Sequence, residues 1–207
     1  MIDGFQEVLT VVGSDPFTIL CVCTGNVCRS PAAERLLTSR LGPGVQVSSA
    51  GTRALVGEPV SPPMDSLLAA AGADPTGFRA RRLTEGMLRD TELVLTMTQA
   101  HRGDAVELWP RAVRRTFTLK ELGRLLSTID PAALPEASVA DRLRVAVPLA
   151  AGQRRQVRDS REDDIVDPYQ MSAAVYAEAF EDIEAAVNAI VDVIGAGHPD
   201  PELTQQA

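Results

Sequence analysis

Cys23 and Arg29 stand at the two ends of a short turn, residues 24–28, and together they have the chemistry to handle a phosphoryl group. An apolar run precedes the turn, and Ser30 and Pro31 open a segment of helical periodicity after it. This order predicts a strand, a loop and a helix N-terminus, which together bind anions through loop amides and the helix dipole. The same surroundings favour a thiolate. The expected chemistry is attack of Cys23 on phosphorus, with Arg29 clamping the oxygens, through a cysteinyl-phosphate intermediate.

The elements around this turn alternate along the chain. The run 17–23 is apolar except for Thr18, which is typical of a strand buried on both faces. Further strands are predicted at 45–48, 93–97 and 113–116, and helices at 31–41, 64–71, 99–108 and from 172 onward, with Thr84 as the N-cap of another helix. The pattern predicts an α/β fold, a single three-layer domain whose four-stranded parallel sheet has the order 2-1-3-4 and carries helices on both faces.

One domain is expected over residues 17–194. Within it, residues 119–160 differ in character, because a predicted helix at 119–126 is followed by a Pro-interrupted stretch and a dense charged run. We expect this segment to be a partly mobile insertion. We also expect a flexible lead-in at 1–16 and a flexible tail at 195–207.

The composition narrows the classes of partner. The 207 residues include 20 Lys+Arg against 28 Asp+Glu, a net charge of −8, and no basic run, so no nucleic-acid partner is expected. The absence of a long apolar run and of a basic leader predicts no membrane association and a cytoplasmic location. The three cysteines, all between positions 21 and 28, fit neither a disulfide framework nor the paired spacing of zinc sites, so neither a metal nor another cofactor is expected.

The sequence Cys-Thr-Gly-Asn-Val-Cys-Arg-Ser-Pro at residues 23–31 resembles the phosphate-binding loop of the low-molecular-weight protein-tyrosine phosphatases. A bare Cys-x5-Arg is weak, but this full motif directly after a buried strand is specific. Further segments resemble the family in the same order: 47–52, 80–84 and the Asp-Pro-Tyr of 167–169. The resemblance covers residues 17–118 and 162–194, and the insertion before the acid loop lies outside it.

The resemblance implies a role for each matching residue. Cys23 would be the nucleophile, Arg29 the phosphate clamp and Asp167 the general acid and then the general base, with its carboxyl expected to be buried beside Pro168 and Tyr169. The remaining predicted roles are phosphate binding by Thr24, Gly25, Asn26, Val27, Cys28, Arg29 and Ser30, bracing of the loop by Asn26, Ser30 and Ser49, and a substrate slot walled by Leu55 and Tyr169.

Several of these residues have simpler alternatives. Asp167 could form only an Asp-Pro turn, and Tyr169 could pack on the last helix instead of facing the substrate. Cys21 is most simply a small buried residue; Cys28 is either another or, as the resemblance implies, a partner that traps oxidised Cys23 as a disulfide. His101 is expected to be a surface residue of its helix.

The substrate is less determined than the chemistry. Leu55 and Gln170 stand where the family often has aromatic residues, which removes stacking partners for a phosphotyrosine ring. The leading hypothesis is a monomeric phosphomonoester hydrolase, a protein-tyrosine phosphatase that acts on phosphotyrosine in proteins or on a smaller aryl phosphate. The alternatives are an arsenate reductase that uses an external low-molecular-weight thiol, and a phosphate-sensing module without turnover.

Overall fold

The computed structural model describes residues 15–154 and 161–195, which contain a parallel sheet of four strands in the order β2-β1-β3-β4. The strands are β1 (Phe17–Cys23), β2 (Val45–Gly51), β3 (Leu93–Thr96) and β4 (Thr116–Thr118). The predicted fold class and strand order are confirmed. Because all four strands run the same way, their carboxyl ends meet at one edge of the sheet, where loops can converge on one site.

Helices cover both faces of the sheet. Those in the described residues are α1 (Arg29–Leu41), α2 (Met64–Ala70), α3 (Glu85–Arg89), α4 (Gln99–Leu108), α5 (Leu119–Leu126), α6 (Val139–Gln153) and α7 (Ala173–Gly195). Alternate side chains of β1 enter two separate cores: Ile19 and Cys21 join the larger core with α1, α5, α6 and α7, whereas Leu20 and Val22 join the smaller core with α3 and α4. No helix in the described ranges is long and apolar enough to cross a membrane.

The fourth strand lies later in the chain than predicted. Residues Pro110–Arg115 form a 3-10 helix, and the strand begins at Thr116. Pro110 starts a helical turn with its fixed φ, which overrides the β propensity of Val113. The strand is short because Thr118 and Glu121 form a capping box that begins α5 immediately.

The segment expected to be an insertion contains two helices. The predicted helix at 119–126 is α5, whereas α6 covers residues that the sequence left unassigned. Pro148 lies on the exposed side of α6, and Leu143, Ala146 and Ala150 are fully buried on its other side. Partial mobility of the insertion stays a prediction. The predicted flexible lead-in and tail lie almost entirely outside the described residues.

Candidate active site

The predicted strand, loop and helix meet at the carboxyl edge of the sheet. Cys23 is the last residue of β1 and Arg29 is the first of α1, so the turn between them joins the central strand to the helix N-terminus. The Cys23 Sγ lies 3.0 Å from the Ser30 Oγ and accepts a hydrogen bond of 3.3 Å from the backbone N–H of Asn26. Both contacts suit a sulfur that carries negative charge, because each places a donor against it.

Asn26 holds the turn in shape. Its backbone is left-handed, with φ of 56°, a conformation that Asn tolerates better than most residues. Its side-chain amide donates to the Ser30 Oγ at 2.9 Å and to the Ser49 Oγ at 2.8 Å, and its Oδ1 accepts from the backbone N–H of Arg81 at 2.8 Å. One fully buried side chain thus ties the loop to α1, to β2 and to the segment that follows α2.

Glu34, which the sequence analysis did not single out, supports this brace from α1. The Ser49 Oγ donates to the Glu34 Oε2 at 2.5 Å, and the Arg81 Nε donates to the Ser49 carbonyl at 2.7 Å. Burial raises the pKa of Glu34, while the Ser49 hydrogen bond and the nearby arginines oppose the rise. Its helical position, five residues after Arg29, was visible in the sequence, but the contact across to β2 was not.

Arg29 faces the acid loop. Its Nη1 donates to the Ile165 carbonyl at 3.1 Å, and its Nη2 lies 2.5 Å from the Asp167 Oδ2. Its Nε is buried and has no hydrogen-bond partner among the described residues. The acid loop is fixed at the end of β3, because the Ile165 N–H donates to the Met97 carbonyl at 2.9 Å. The expected burial of Asp167 is wrong: its side chain is 50% exposed, against 4% for Arg29, because it sits at the mouth of the pocket.

A pocket of about 150 Å³ opens above Cys23. Its lining brings together most of the predicted site residues, and adds Arg53, which the sequence analysis missed: Cys23, Thr24, Gly25, Val27, Cys28, Arg29, Arg53, Leu55, Asp167 and Tyr169. Asn26, Ser30 and Ser49 do not line it and lie behind the loop, where a brace belongs. Leu55 and Tyr169 are partly exposed at its rim.

The other two cysteines sit in different surroundings. Burial raises the pKa of Cys28 to about 11, and its Sγ lies 3.7 Å from the hydroxyl of Tyr176. Burial also raises the pKa of Cys21 well above its ordinary value, and no part of this side chain is exposed. Both are therefore neutral thiols near neutral pH. The trapping of oxidised Cys23 by Cys28 stays a prediction.

His101 is not the surface residue that the sequence predicted. Its side chain is buried between the loop and the start of α4: the Nε2 lies 2.8 Å from the Thr24 Oγ1, and the Nδ1 lies 2.9 Å from the Thr98 Oγ1. Burial, and then the charge of Arg29, lower the pKa of His101 to about 4. A sign of this position was available in the sequence, since α4 starts just after β3, at the edge where the loops converge.

Comparison with known proteins identifies the family of the chain. Residues 18–131 match the family model described as low molecular weight phosphotyrosine protein phosphatase. The chain is 31% identical over 179 residues to a probable low molecular weight protein-tyrosine-phosphatase, EpsP, of Ralstonia nicotianae, a match that covers 86% of this chain and 97% of the relative.

Two solved structures show the fold over most of the chain. The tyrosine phosphatase amsI of Erwinia amylovora aligns with a TM-score of 0.64 and 25% identity, over 89% of this chain and 97% of the other. The YwlE arginine phosphatase of Geobacillus stearothermophilus aligns with a TM-score of 0.64 and 28% identity, over 93% and 99%. The family model matches more than half of this chain, and the match to EpsP covers almost the whole relative. This chain therefore belongs to the low molecular weight phosphotyrosine protein phosphatase family.

Proposed function

We propose that this protein hydrolyses phosphotyrosine in phosphorylated proteins, and that Cys23, Arg29 and Asp167 carry the reaction. The observation that supports this most strongly is the pocket itself. A cysteine with hydrogen-bond donors on its sulfur, an arginine and a carboxyl group all line a space of about 150 Å³. The family relatives named as tyrosine phosphatases agree with this chemistry.

In the first step, the Cys23 thiolate attacks phosphorus and the bond from phosphorus to the tyrosine oxygen breaks. The leaving oxygen takes the proton of the Asp167 carboxyl group. In the second step, the Asp167 carboxylate takes a proton from a water molecule whose oxygen attacks phosphorus. The bond between sulfur and phosphorus breaks, which releases phosphate and restores both the thiolate and the protonated acid.

The ion pair between Arg29 and Asp167 links substrate binding to this proton transfer. In the structure, the Arg29 Nη2 is 2.5 Å from the carboxylate, and a bound phosphoryl group would compete for the same guanidinium. The phosphoryl oxygens then take over the hydrogen bonds of Arg29, and Asp167 is free to turn toward the leaving oxygen. Its position at the exposed mouth of the pocket allows this movement without disturbing buried packing.

The rim of the pocket supports an aryl phosphate as the substrate. Leu55, Val27 and the ring of Tyr169 offer apolar and aromatic surface, which suits a phenyl ring better than the polar N–H groups of a guanidinium. Among the described residues that line the pocket, only Tyr169 offers a ring for stacking, and Gln170 follows it where the family often has a second aromatic residue. Because a relative of similar overall fold is an arginine phosphatase, phosphoarginine is the substrate against which this preference has to be measured.

The test uses purified protein with phenyl phosphate and with one peptide carrying either phosphotyrosine or phosphoarginine. We expect turnover of phenyl phosphate and of the phosphotyrosine peptide. Cys23→Ser should abolish turnover, Arg29→Ala should lower kcat/KM by about 10²–10³-fold, and Asp167→Asn should lower kcat by about 10²–10⁴-fold. Cys21→Ala is the matched control, because this buried thiol does not line the pocket, and it should retain activity.

No turnover by the unmodified protein at mildly acidic pH would contradict the proposal. Faster turnover of the phosphoarginine peptide would reassign the substrate. The arsenate-reductase alternative is not favoured, and arsenate-dependent consumption of an added thiol would revive it.

We also propose that the protein works as a monomer, because Cys23, Arg29 and Asp167 of one chain already meet in one pocket and the proposed reaction needs no further residue. Light scattering together with activity over a range of protein concentrations tests this, and activity per molecule that rises with concentration would contradict it. The cytoplasmic location stays a prediction.

A further inference from the structure

A chain of three side chains runs from the start of α4 into the phosphate pocket. The Thr98 Oγ1 lies 2.9 Å from the His101 Nδ1, and the His101 Nε2 lies 2.8 Å from the Thr24 Oγ1. Thr24 lines the pocket beside Cys23 and Arg29, whereas His101 lies behind it with 5% of its surface exposed. The mechanism proposed above uses neither the Thr24 hydroxyl nor the imidazole.

The hydrogen bonds around His101 favour one tautomer of the ring. As the N-cap of α4, the Thr98 Oγ1 already accepts a hydrogen bond of 3.2 Å from the backbone N–H of His101. The hydroxyl proton of Thr98 can be donated to the imidazole, whose Nδ1 lies within hydrogen-bond distance. If the Thr98 hydroxyl donates to Nδ1, the ring carries its proton on Nε2 and donates to the Thr24 Oγ1. Each tautomer leaves one hydroxyl proton without a partner among the described residues. The first leaves the proton of Thr24, which lines the pocket and can reach a ligand there, whereas the opposite tautomer leaves the proton of Thr98, which does not line the pocket.

The charges around His101 support a neutral ring. Burial lowers the pKa of His101, and the nearby charge of Arg29 lowers it further, to about 4. Asp104 on α4 and Asp164 and Asp167 on the acid loop act in the opposite direction and are outweighed. The ring therefore has one N–H and one acceptor at the pH where the pocket would work, as the chain of hydrogen bonds requires.

We infer that His101 is a positioning residue that turns the Thr24 hydroxyl into a hydrogen-bond donor for an oxygen of the bound phosphoryl group. Because the Thr24 oxygen accepts from His101, its proton is free to point into the pocket, where a phosphoryl oxygen can accept it. The inference rests on the proposed function for its substrate, and it assigns a side-chain donor in addition to the loop amides and Arg29.

The test measures the binding of inorganic phosphate by calorimetry, together with kcat and KM for phenyl phosphate. The variants are Thr24→Val, Thr24→Ser, His101→Leu, His101→Gln and the double variant Thr24→Val/His101→Leu. Thr24→Val should weaken phosphate binding by about tenfold, the usual effect of losing a hydrogen bond to a charged group, whereas Thr24→Ser should retain it. His101→Leu should weaken binding to a similar extent, and His101→Gln should recover part of it, since its amide N–H can reach the Thr24 oxygen. Thr38→Val, on the exposed face of α1, is the matched control and should bind phosphate as the parent does.

The double variant separates positioning from general support of the fold. If His101 acts through the Thr24 hydroxyl, the double variant should bind phosphate as weakly as either single variant, with no further loss. Losses that multiply in the double variant, or a Thr24→Val protein that binds phosphate normally, would overturn the inference. Calorimetry does not require turnover, so this result stands apart from a failure of the proposed hydrolase activity.

Discussion

At the scale of single residues, His101 shows how the pocket combines burial with charge. It lies within reach of the Arg29 charge and three carboxylates, yet its own ring is neutral because burial and Arg29 together lower the pKa to about 4. A buried neutral histidine gives the pocket a directional hydrogen bond without adding a second cation beside the phosphate clamp. It also makes folding sensitive to pH.

The free energy of unfolding should decrease as the pH falls, with His101 as one identifiable cause. Above pH about 6.5 the ring is neutral in both states, but between about 6.5 and 4 the unfolded chain binds a proton that the native ring does not. This difference removes at most about 3 kcal/mol of stability by the lower end of that range. Urea unfolding of the parent and of His101→Gln across this pH range measures it.

Comparing the two proteins isolates His101 from the carboxylates, which titrate in both. The stability of the parent relative to His101→Gln should decline as the pH falls. Parallel pH profiles for the two proteins would mean that the native ring takes up its proton as readily as the unfolded chain does.

At the scale of elements, the end of β2 is built against the phosphate-binding loop. Gly51 pairs with Cys23 in the sheet, and a Cβ added to it would lie 2.5 Å from the Thr24 carbonyl oxygen and 3.0 Å from the Asn26 Cβ. The absence of a side chain at this position lets the loop lie directly on the strand. The shape of the anion site therefore depends on a neighbouring element as well as on the loop sequence.

Gly51→Ala should displace the loop and lower both stability and activity. We expect a loss of about 1–3 kcal/mol in the free energy of unfolding, because the nearest atom is a backbone carbonyl oxygen and cannot move aside easily. Phosphate affinity should fall as well, since the displaced residues, Thr24 and Asn26, belong to the loop. Thermal unfolding and phosphate calorimetry measure the two effects.

Gly103→Ala is the matched control for this substitution. Gly103 lies within α4, and a Cβ there would meet nothing within 4 Å, so we expect stabilisation by about 0.5–1 kcal/mol and normal phosphate binding. A Gly51→Ala protein that behaves like this control would show that the loop does not need the close approach.

Local patterns were enough to predict the elements that carry the chemistry. The apolar run of β1, the turn and the Ser-Pro start of the helix are specified by neighbouring residues, so the relative positions of Cys23 and Arg29 followed from the sequence. The misses at Glu34 and His101 have a different origin, because each acts through a contact with another element. The helix α6 was missed for the same reason, because the burial of one of its faces against other elements outweighs the helix-breaking tendency of Pro148.

At the scale of the whole molecule, α6 and α7 lie beyond residues 18–131, the part that matches the family model, yet they are connected to the site. α7 packs against α1, which begins with Arg29, and against α5. Arg142 of α6 is 4% exposed, and its guanidinium donates to the carbonyls of Ile194 at 2.6 Å, Val193 at 2.9 Å and Pro135 at 3.0 Å. Two of these carbonyls belong to the last turn of α7, where no helical N–H is available.

Arg142→Gln should therefore destabilise the whole domain by about 2–3 kcal/mol, since it leaves one buried carbonyl and two partly buried carbonyls without a charged donor. Arg144→Gln on the same helix is the matched control. Its guanidinium pairs with Glu92 and Asp141 at 30% exposure, and such pairs contribute less than about 1 kcal/mol. Urea unfolding measures both variants.

Because no residue of α6 lines the pocket, Arg142→Gln should keep the parent's KM for phenyl phosphate while it is folded. Equal destabilisation by the two variants would show that Arg142 does not anchor α7.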